Sequence, residues 1–249
     1  MGILSGKVAL VTGGARGFGA ADAHALSMEG AQVIIADLLD GTEVAKECGG
    51  LYLKHDVSSE GSWAEIIKTI GDRFGRLDVL VNNAAICING NIENTDILSM
   101  RKIFSVNVEG VMLGVQYSLP LLKENGGGSI INIASTSIQR YIPDLLSYAA
   151  SKGAVAAMCT AITGHCRQMG YPVRCNTVHP GGIDTPMVAQ RVAELDPEHR
   201  PNLEGILGLP EEYAHVIVFL ASDASRYVTG TELVIDGGMN AGSIARKPG

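Results

Sequence analysis

The run Lys7-Val8-Ala9-Leu10-Val11-Thr12 is apolar on both of its alternating faces and passes directly into Gly13-Gly14-Ala15-Arg16-Gly17-Phe18-Gly19. A strand with no polar face has to be covered on both sides, which is the situation of a strand inside a parallel sheet. Ala20 to Met28 then reads as a helix, so strand, glycine turn and helix form the first part of a βαβ unit. Glycines let the backbone approach a bound pyrophosphate, whose charge is met by the N–H groups and dipole of the helix start. The spacing Gly-x-x-x-Gly-x-Gly is not the commoner Gly-x-Gly-x-x-Gly, and a plain tight turn would read the same way locally.

The strand Gln32 to Ala36 ends at Asp37, roughly 20 residues past the loop, where a dinucleotide-binding unit places its ribose acid. A carboxylate there accepts from ribose hydroxyls and repels a 2'-phosphate, which favours NAD over NADP. Arg16 works against this preference, since a basic side chain in the loop could meet that phosphate. The rhythm continues. Leu51 to His55 leads to Asp56-Val57, Ser62 to Phe74 has helical spacing, and Leu77 to Val81 leads to Asn82-Asn83-Ala84-Ala85. A long helical stretch follows from Asp96 to Lys123, then the strand Ser129 to Ala134, a helix from Tyr148 to Met169, and the strand Val173 to Val178. A helix over Pro210 to Ser222 and the strand Glu232 to Ile235 close the chain's pattern.

Such alternation predicts an α/β fold of Rossmann type: a doubly wound, seven-stranded parallel sheet with helices on both faces, built as a single domain over residues 1–249. Ligands bind beyond the carboxyl ends of the strands at the switch point, where Gly13, Asp37, Asn83, Ser135 and Pro180 would gather. Pro180 to Leu209 is rich in proline among apolar residues, and it reads as a mobile segment that covers the site from about residue 182.

The formal charge of −7 and pI near 5.3 argue against nucleic acid or an anionic membrane surface as a partner. Five cysteines, Cys48, Cys87, Cys159, Cys166 and Cys175, form no Cys-x-x-Cys pair, which fits a reducing compartment. No apolar run approaches the roughly 18 to 20 residues of a membrane helix. Met1 to Lys7 carries no export pattern, and Gly2 is followed at position 6 by Gly rather than Ser or Thr. A cytoplasmic protein is predicted. His165, His179, His199 and His215 have no zinc-like spacing and are read as surface or structural, with no metal site.

Ser147-Tyr148-Ala149-Ala150-Ser151-Lys152 carries the chemistry. On a helix, residues four apart share a face, so a lysine charge would sit beside the phenol. A nearby cation favours the phenolate and is predicted to lower the phenol's pKa from about 10.

With Thr12-Gly13-x-x-x-Gly17-x-Gly19, Asn82-Asn83-Ala84, Asn107, Ser135, Tyr148-x-x-x-Lys152 and Pro180-Gly181 in one order, the chain resembles the short-chain dehydrogenase/reductases. The stretch His165 to Tyr171 and the run Val178 to Gly182 are similar to bacterial 3-beta/17-beta hydroxysteroid and secondary-alcohol dehydrogenases. The resemblance implies that Tyr148 is the general acid/base, Ser135 bonds the substrate oxygen, Lys152 holds the nicotinamide ribose, and Asn107 anchors a water that relays protons to Lys152. It implies NAD contacts from Gly13, Arg16, Gly17, Phe18 and Gly19 at the pyrophosphate, Asp37 and Leu38 at the ribose, and Asp56 and Val57 at the adenine. Asn83 and Ala84 would lie along the cofactor ribose, Ile183 and Thr185 would cover the nicotinamide carboxamide, and Ala85 and Pro180 would be further cofactor contacts. Ala85 stands where the family usually has glycine, which adds a methyl group near the cofactor.

Ser137, Gln139, Tyr141, Leu145, Met187 and Val188 are the candidate substrate residues, and Ile88, Ile92, Leu146, Val192 and Ile206 are further apolar candidates for its wall. They imply a small-molecule apolar alcohol or ketone, although Arg140 could clamp a carboxylate. The resemblance also implies a homotetramer, with Met100 to Lys123 and Tyr148 to Met169 meeting a partner through Ala149, Gly153, Ala156 and Ala157. Two other readings stay open: a reductase of acyl-carrier-protein thioesters, disfavoured by Asp37 and the acidic balance, and a non-catalytic cofactor-bound regulator, which has no need of Asn107, Ser135, Tyr148 and Lys152 together.

Overall fold

Alternating strand and helix patterns resolve, in a computed structural model, into one parallel sheet; residues 2–140, 142–203 and 206–241 are described. Its strands are β1 (Val8–Thr12), β2 (Gln32–Asp37), β3 (Leu51–Lys54), β4 (Val79–Asn82), β5 (Gly128–Ile133), β6 (Val173–Pro180) and β7 (Glu232–Ile235). They lie in the order β3-β2-β1-β4-β5-β6-β7, every neighbouring pair parallel. The connections hold α1 (Gly17–Met28), α2 (Thr42–Glu47), α3 (Glu60–Phe74), α4 (Ile97–Phe104), α5 (Gly110–Glu124), α6 (Leu146–Gln168), α7 (Pro186–Glu194) and α8 (Pro210–Ala221). The chain winds outward from β1 through β3, then returns to place β4 on the other side of β1. A crevice therefore opens beyond the carboxyl ends of β1 and β4. This is the Rossmann-type doubly wound sheet that the alternation predicted.

The side-chain period of two sorts the apolar strands onto both faces. Ala9 and Val11 pack with Ala23 and Leu26 of α1 and with Tyr213, Ile217 and Leu220 of α8. Val8 and Leu10 pack on the opposite face with Trp63, Ile66 and Ile70 of α3, Leu122 of α5, and Cys159 and Cys166 of α6. Each fully buried large apolar side chain contributes about 1.5–3 kcal/mol of transfer free energy. One polar intrusion stands out on the first face. Asp22 of α1 is fully buried, and neither of its carboxyl oxygens nor the Tyr213 hydroxyl has a hydrogen-bond partner among the described residues.

Helix boundaries follow caps that apolar spacing does not show. α3 starts two residues before the predicted Ser62 because Ser59 Oγ accepts from Ser62 N at 3.3 Å, and it stops at Gly75, whose φ of 67° ends the helix. α2 was not predicted; at six residues it is too short to show a periodicity. The stretch read as one helix from Asp96 to Lys123 is α4 and α5 joined by a π-helical turn, Ser105–Glu109, and Asn107 sits buried inside that turn. α6 begins at Leu146, so Tyr148 and Lys152 occupy its first two turns.

The proline-rich segment over the sheet contains α7, capped where Thr185 Oγ1 accepts from Val188 N at 3.4 Å. Its two ends are stapled together. Asp184 N donates to Gly208 O at 3.0 Å, and Gly208 N donates to Gly182 O at 3.0 Å. None of the residues of α7 is buried. Among the described residues no helix is long and apolar enough to cross a membrane.

Candidate active site

The residues at the strand ends meet in one cavity of about 870 Å³, which runs from Asp37 and Asp56 past the glycine loop to Tyr148 and on to α7. At its floor the loop is held by its neighbours. Gly13 N donates to Ala36 O at 2.8 Å, and the Asn83 side-chain amide donates to Thr12 O at 2.9 Å and Gly13 O at 3.1 Å. Thr12 Oγ1 in turn accepts from Asn83 N and Ala84 N, both at 3.1 Å.

This loop fits a pyrophosphate. Gly13 takes φ 65°, and a Cβ there would stand 2.8 Å from Ala84 Cα. The start of α1 has no side-chain cap, so its first N–H groups keep their capacity to meet an anion. Gly19, predicted to admit the pyrophosphate, does not line the cavity. Its role is internal, because a Cβ there would lie 2.2 Å from Gly13 O, and the missing side chain lets α1 close on the end of β1.

Asp37 is fixed at the far end. Its carboxylate accepts from Ala15 N at 3.0 Å and from Leu39 N at 2.9 Å, which aims it between the loop and the turn after β2. Leu38, Asp56 and Val57 line the same end, and Arg16, Gly17 and Phe18 line the middle. His55 also lies here; burial pushes its imidazole down to about 4, so it is neutral, with Nδ1 2.7 Å from Ser62 Oγ. Ala85 lines the cavity without strain, since among the described residues only glycines have positive φ.

Tyr148, Lys152 and Ser135 converge at the other end. Lys152 is buried, its Nζ donating to Ile133 O at 2.6 Å and standing 5.7 Å from the centre of the Tyr148 ring. Burial pushes the Lys152 ammonium down to about 8. Burial also pushes the Tyr148 phenol up, opposed by the Ser135 hydroxyl and by the charge of Arg191. The predicted lowering of the Tyr148 pKa by Lys152 is therefore corrected. Protein packed around the phenol disfavours the phenolate, and the ammonium is turned to the carbonyl of Ile133.

Ser135 Oγ accepts from Ser137 N at 3.1 Å at the head of a short 3-10 turn. Its carbonyl faces His179 Nδ1 at 3.2 Å, which must then carry the proton. His179 is fully buried, with Nε2 2.9 Å from the Glu232 carboxylate on β7.

Asn107 does not line the cavity. Its side chain accepts from Ile86 N at 2.9 Å and donates to Ile86 O at 3.0 Å and Ser151 Oγ at 3.0 Å, tying the strand-end loop to α6. A π turn is what brings such an extra residue inward, and it is a common mark of functional sites.

The candidate substrate residues divide. Ser137, Leu145, Met187, Val188 and Ile206 line the cavity, as do the predicted cofactor contacts Asn83, Ala84, Pro180, Ile183 and Thr185. Gln139 does not; its Oε1 accepts from Asn240 at 2.8 Å outside the cavity. Nor do Ile88, Ile92, Leu146 and Val192, of which Ile92 and Leu146 point to solvent. Tyr141 lies outside the described residues, as does the His199 side chain. Sequence reasoning missed Cys87, Leu195, Leu203, Met239 and Arg191. Only a helix register for 186–194 would have aimed Arg191 inward, and the prolines hid that helix. Burial pushes the Cys87 thiol up to about 11, with Arg191 opposing, so it stays protonated.

A nucleotide-shaped loop joined through one cavity to a phenol, a hydroxyl and a buried ammonium defines a nicotinamide-dependent oxidoreductase. Residues 13–240 match the family described as Enoyl-(Acyl carrier protein) reductase. The chain is 40% identical to a 3-beta-hydroxysteroid dehydrogenase of Comamonas testosteroni, covering 94% of this chain and 95% of the relative. It is also 40% identical to an NADP-dependent (R)-specific alcohol dehydrogenase of Lentilactobacillus kefiri, covering 96% and 98%. The crystal structure of levodione reductase superimposes with a TM-score of 0.89 at 32% identity, covering 96% of this chain and all of that one. The chain belongs to the short-chain dehydrogenase/reductase family. It is an enzyme that interconverts an alcohol and its ketone.

Proposed function

We propose that this enzyme is an NAD-dependent dehydrogenase of secondary alcohols with a largely apolar body, acting in both directions, with Tyr148 as its general acid/base. The observation that carries this reading is the shared cavity: Tyr148, Ser135 and Lys152 line one end and Asp37 the other. NAD, when bound, supplies the hydride acceptor, and the residues of the chain supply position and protons.

In oxidation the substrate hydroxyl sits between Ser135 Oγ and the Tyr148 phenolate, which takes its proton as the carbon loses hydride. In reduction the neutral phenol returns that proton to the carbonyl oxygen. A proton donor has to lie within hydrogen-bond reach and keep its proton until it is needed, and burial gives the Tyr148 phenol that property. Lys152, which lines the cavity, would hold the ribose hydroxyls of the bound cofactor once its Nζ leaves Ile133 O. Both ends of the Asn107 side chain are engaged, so it acts by holding Ile86 and Ser151 in place, and a water serving Lys152 would meet its main chain.

Asp37 supports NAD over NADP, because its fixed carboxylate would oppose a 2'-phosphate. Arg16 is the counterweight. The thioester reductase reading has the family's description in its favour; Asp37 and the formal charge of −7 stand against it, since an acidic carrier would want a basic surface.

The same reading takes residues 1–249 as a single domain in the cytoplasm, with residues 182–209 as a covering that moves on its stapled neck. It takes the enzyme as a homotetramer. Exposed Met112 on α5, beside an apolar hollow shared with Met158 and Ile162 of α6, supports contact through these helices. Ala156 is already covered within the protomer and would not meet a partner.

A panel of secondary alcohols, hydroxysteroids and their ketones, followed by NADH and NADPH absorbance, tests the proposal. Turnover with NAD on apolar members is expected. No turnover of any alcohol or ketone with either cofactor would sink it.

A further inference from the structure

The cavity end beyond Tyr148 is more cationic than a protein of formal charge −7 would suggest. Lys152, Arg140 and Arg191 all line it, against the single carboxylate of Asp144. Lys152 is committed to Ile133 O, and Arg140 is an exposed residue whose Nη1 lies on Met239 Sδ at 3.1 Å.

Arg191 differs from both. It is half-buried on α7, and its guanidinium has no ion pair and no hydrogen bond among the described residues. Its backbone is fixed instead, because Asn89 Nδ2 from the loop after β4 donates to Arg191 O at 3.1 Å. Glu194, one turn further on, does not neutralise it; that carboxylate takes the Gln190 amide at 2.9 Å and faces Asn89 at 3.5 Å. Arg191 lines the cavity together with Tyr148 and Cys87, and its charge acts on both of those groups.

A half-buried cation among apolar walls loses part of its hydration, and an opposite charge compensates that loss best. Guanidinium is a planar fork of N–H donors, and its best partner is a carboxylate held by two parallel bonds. Met187 and Val188, on the same helix, and Leu145 supply apolar wall around this end. An anionic end and an apolar middle would thus both be met in one substrate.

We propose that Arg191 anchors a carboxylate carried by the substrate at the end remote from its reacting carbon. The enzyme then acts on a hydroxy acid, or the matching keto acid, whose hydroxyl and carboxylate are separated by an apolar spacer. This rests on the alcohol–ketone reading above and adds the charge that the substrate bears. Arg191 is a specificity-determining residue here: it touches no reacting atom and sets which molecules are held with their carbonyl at Tyr148.

The test uses 4-oxocyclohexanecarboxylate and its methyl ester, which share a ring and a ketone and differ in one charge. Reduction of each by NADH is measured for the wild type, Arg191→Gln, Arg191→Lys and Arg140→Gln. The wild type should favour the acid by about tenfold or more in kcat/KM, through KM. Arg191→Gln should erase that ratio, Arg191→Lys should recover part of it, and Arg140→Gln should leave it in place. An equal ratio in the wild type and Arg191→Gln, or a ratio lost only in Arg140→Gln, overturns the proposal. Turnover of the ester upholds the alcohol–ketone reading whichever way the ratio falls. Should neither compound turn over, the acid is titrated into NADH-loaded enzyme by fluorescence. Binding lost in Arg191→Gln supports the anchor, and no binding to the wild type overturns it.

Discussion

The Lys152 ammonium stands 5.7 Å from the centre of the Tyr148 ring while it donates to the Ile133 carbonyl at 2.6 Å. The two side chains share a helix face as their spacing requires, yet the ammonium is bonded to the end of β5 and not to the phenol. On the proposed roles, cofactor binding by Lys152 and proton transfer by Tyr148 are therefore expected to be separable.

Tyr148→Phe removes the hydroxyl and leaves the ring and Lys152 in place. NADH binding, followed by fluorescence, should stay close to wild type, and turnover should fall by about 10²–10⁴-fold. Near-wild-type rates would show that another group moves the proton.

The pH dependence should differ between directions. Burial raises the Tyr148 phenol above its ordinary value, so it stays protonated through neutral pH and ketone reduction should hold steady there. Alcohol oxidation needs the phenolate, so its rate should climb as pH rises, with Lys152 losing its charge around pH 8. An oxidation rate that is flat from about pH 7 to 10 would contradict the assignment.

Asp37→Ala deletes the carboxylate that Ala15 N and Leu39 N hold in place. The proposed preference for NAD over NADP in kcat/KM should narrow by about tenfold or more, with Arg16 then free to meet the 2'-phosphate. An unchanged ratio would mean that a different group reads the ribose.

Asp22 lies under the first core face with both carboxyl oxygens unpartnered, and burial raises its pKa well above the ordinary value. The folded chain holds that proton more tightly than the unfolded one. Stability from this group is thus fully present below the unfolded pKa of about 3.9 and is lost as pH rises through the folded pKa. Asp22→Asn should be more stable than the wild type at pH 7 by about 1 kcal/mol or more, with the gain shrinking toward pH 4. Denaturant melts at both pH values check this; a gain independent of pH would point to packing instead.

Most of the fold could be read from the sequence because short apolar runs alternate with segments of helical spacing, which is the pattern of a doubly wound sheet. The glycine loop, Asp37 and the Tyr148–Lys152 pair sit at strand ends or in the first turns of helices, where local sequence determines position. What escaped has a different character. The π turn around Asn107 breaks no apolar pattern, since one extra residue in a long helix shifts the register without changing composition. The direction of the Tyr148 shift depends on how much protein surrounds the phenol, which spacing does not encode. Arg191 and Met239 reach the cavity from segments far apart in the chain, and proline-rich surroundings hid the short helix that aims Arg191 inward.

The stapled neck between Gly182 and Gly208 and the absence of buried residues on α7 have a consequence for how such an enzyme changes over time. The part of the proposed substrate wall that α7 supplies adds no buried side chain to the core, so exchanging its side chains should leave the folding free energy of the sheet nearly untouched. Substrate choice and stability are thereby set by different residues, and a new preference can be acquired one substitution at a time without first finding a compensating mutation.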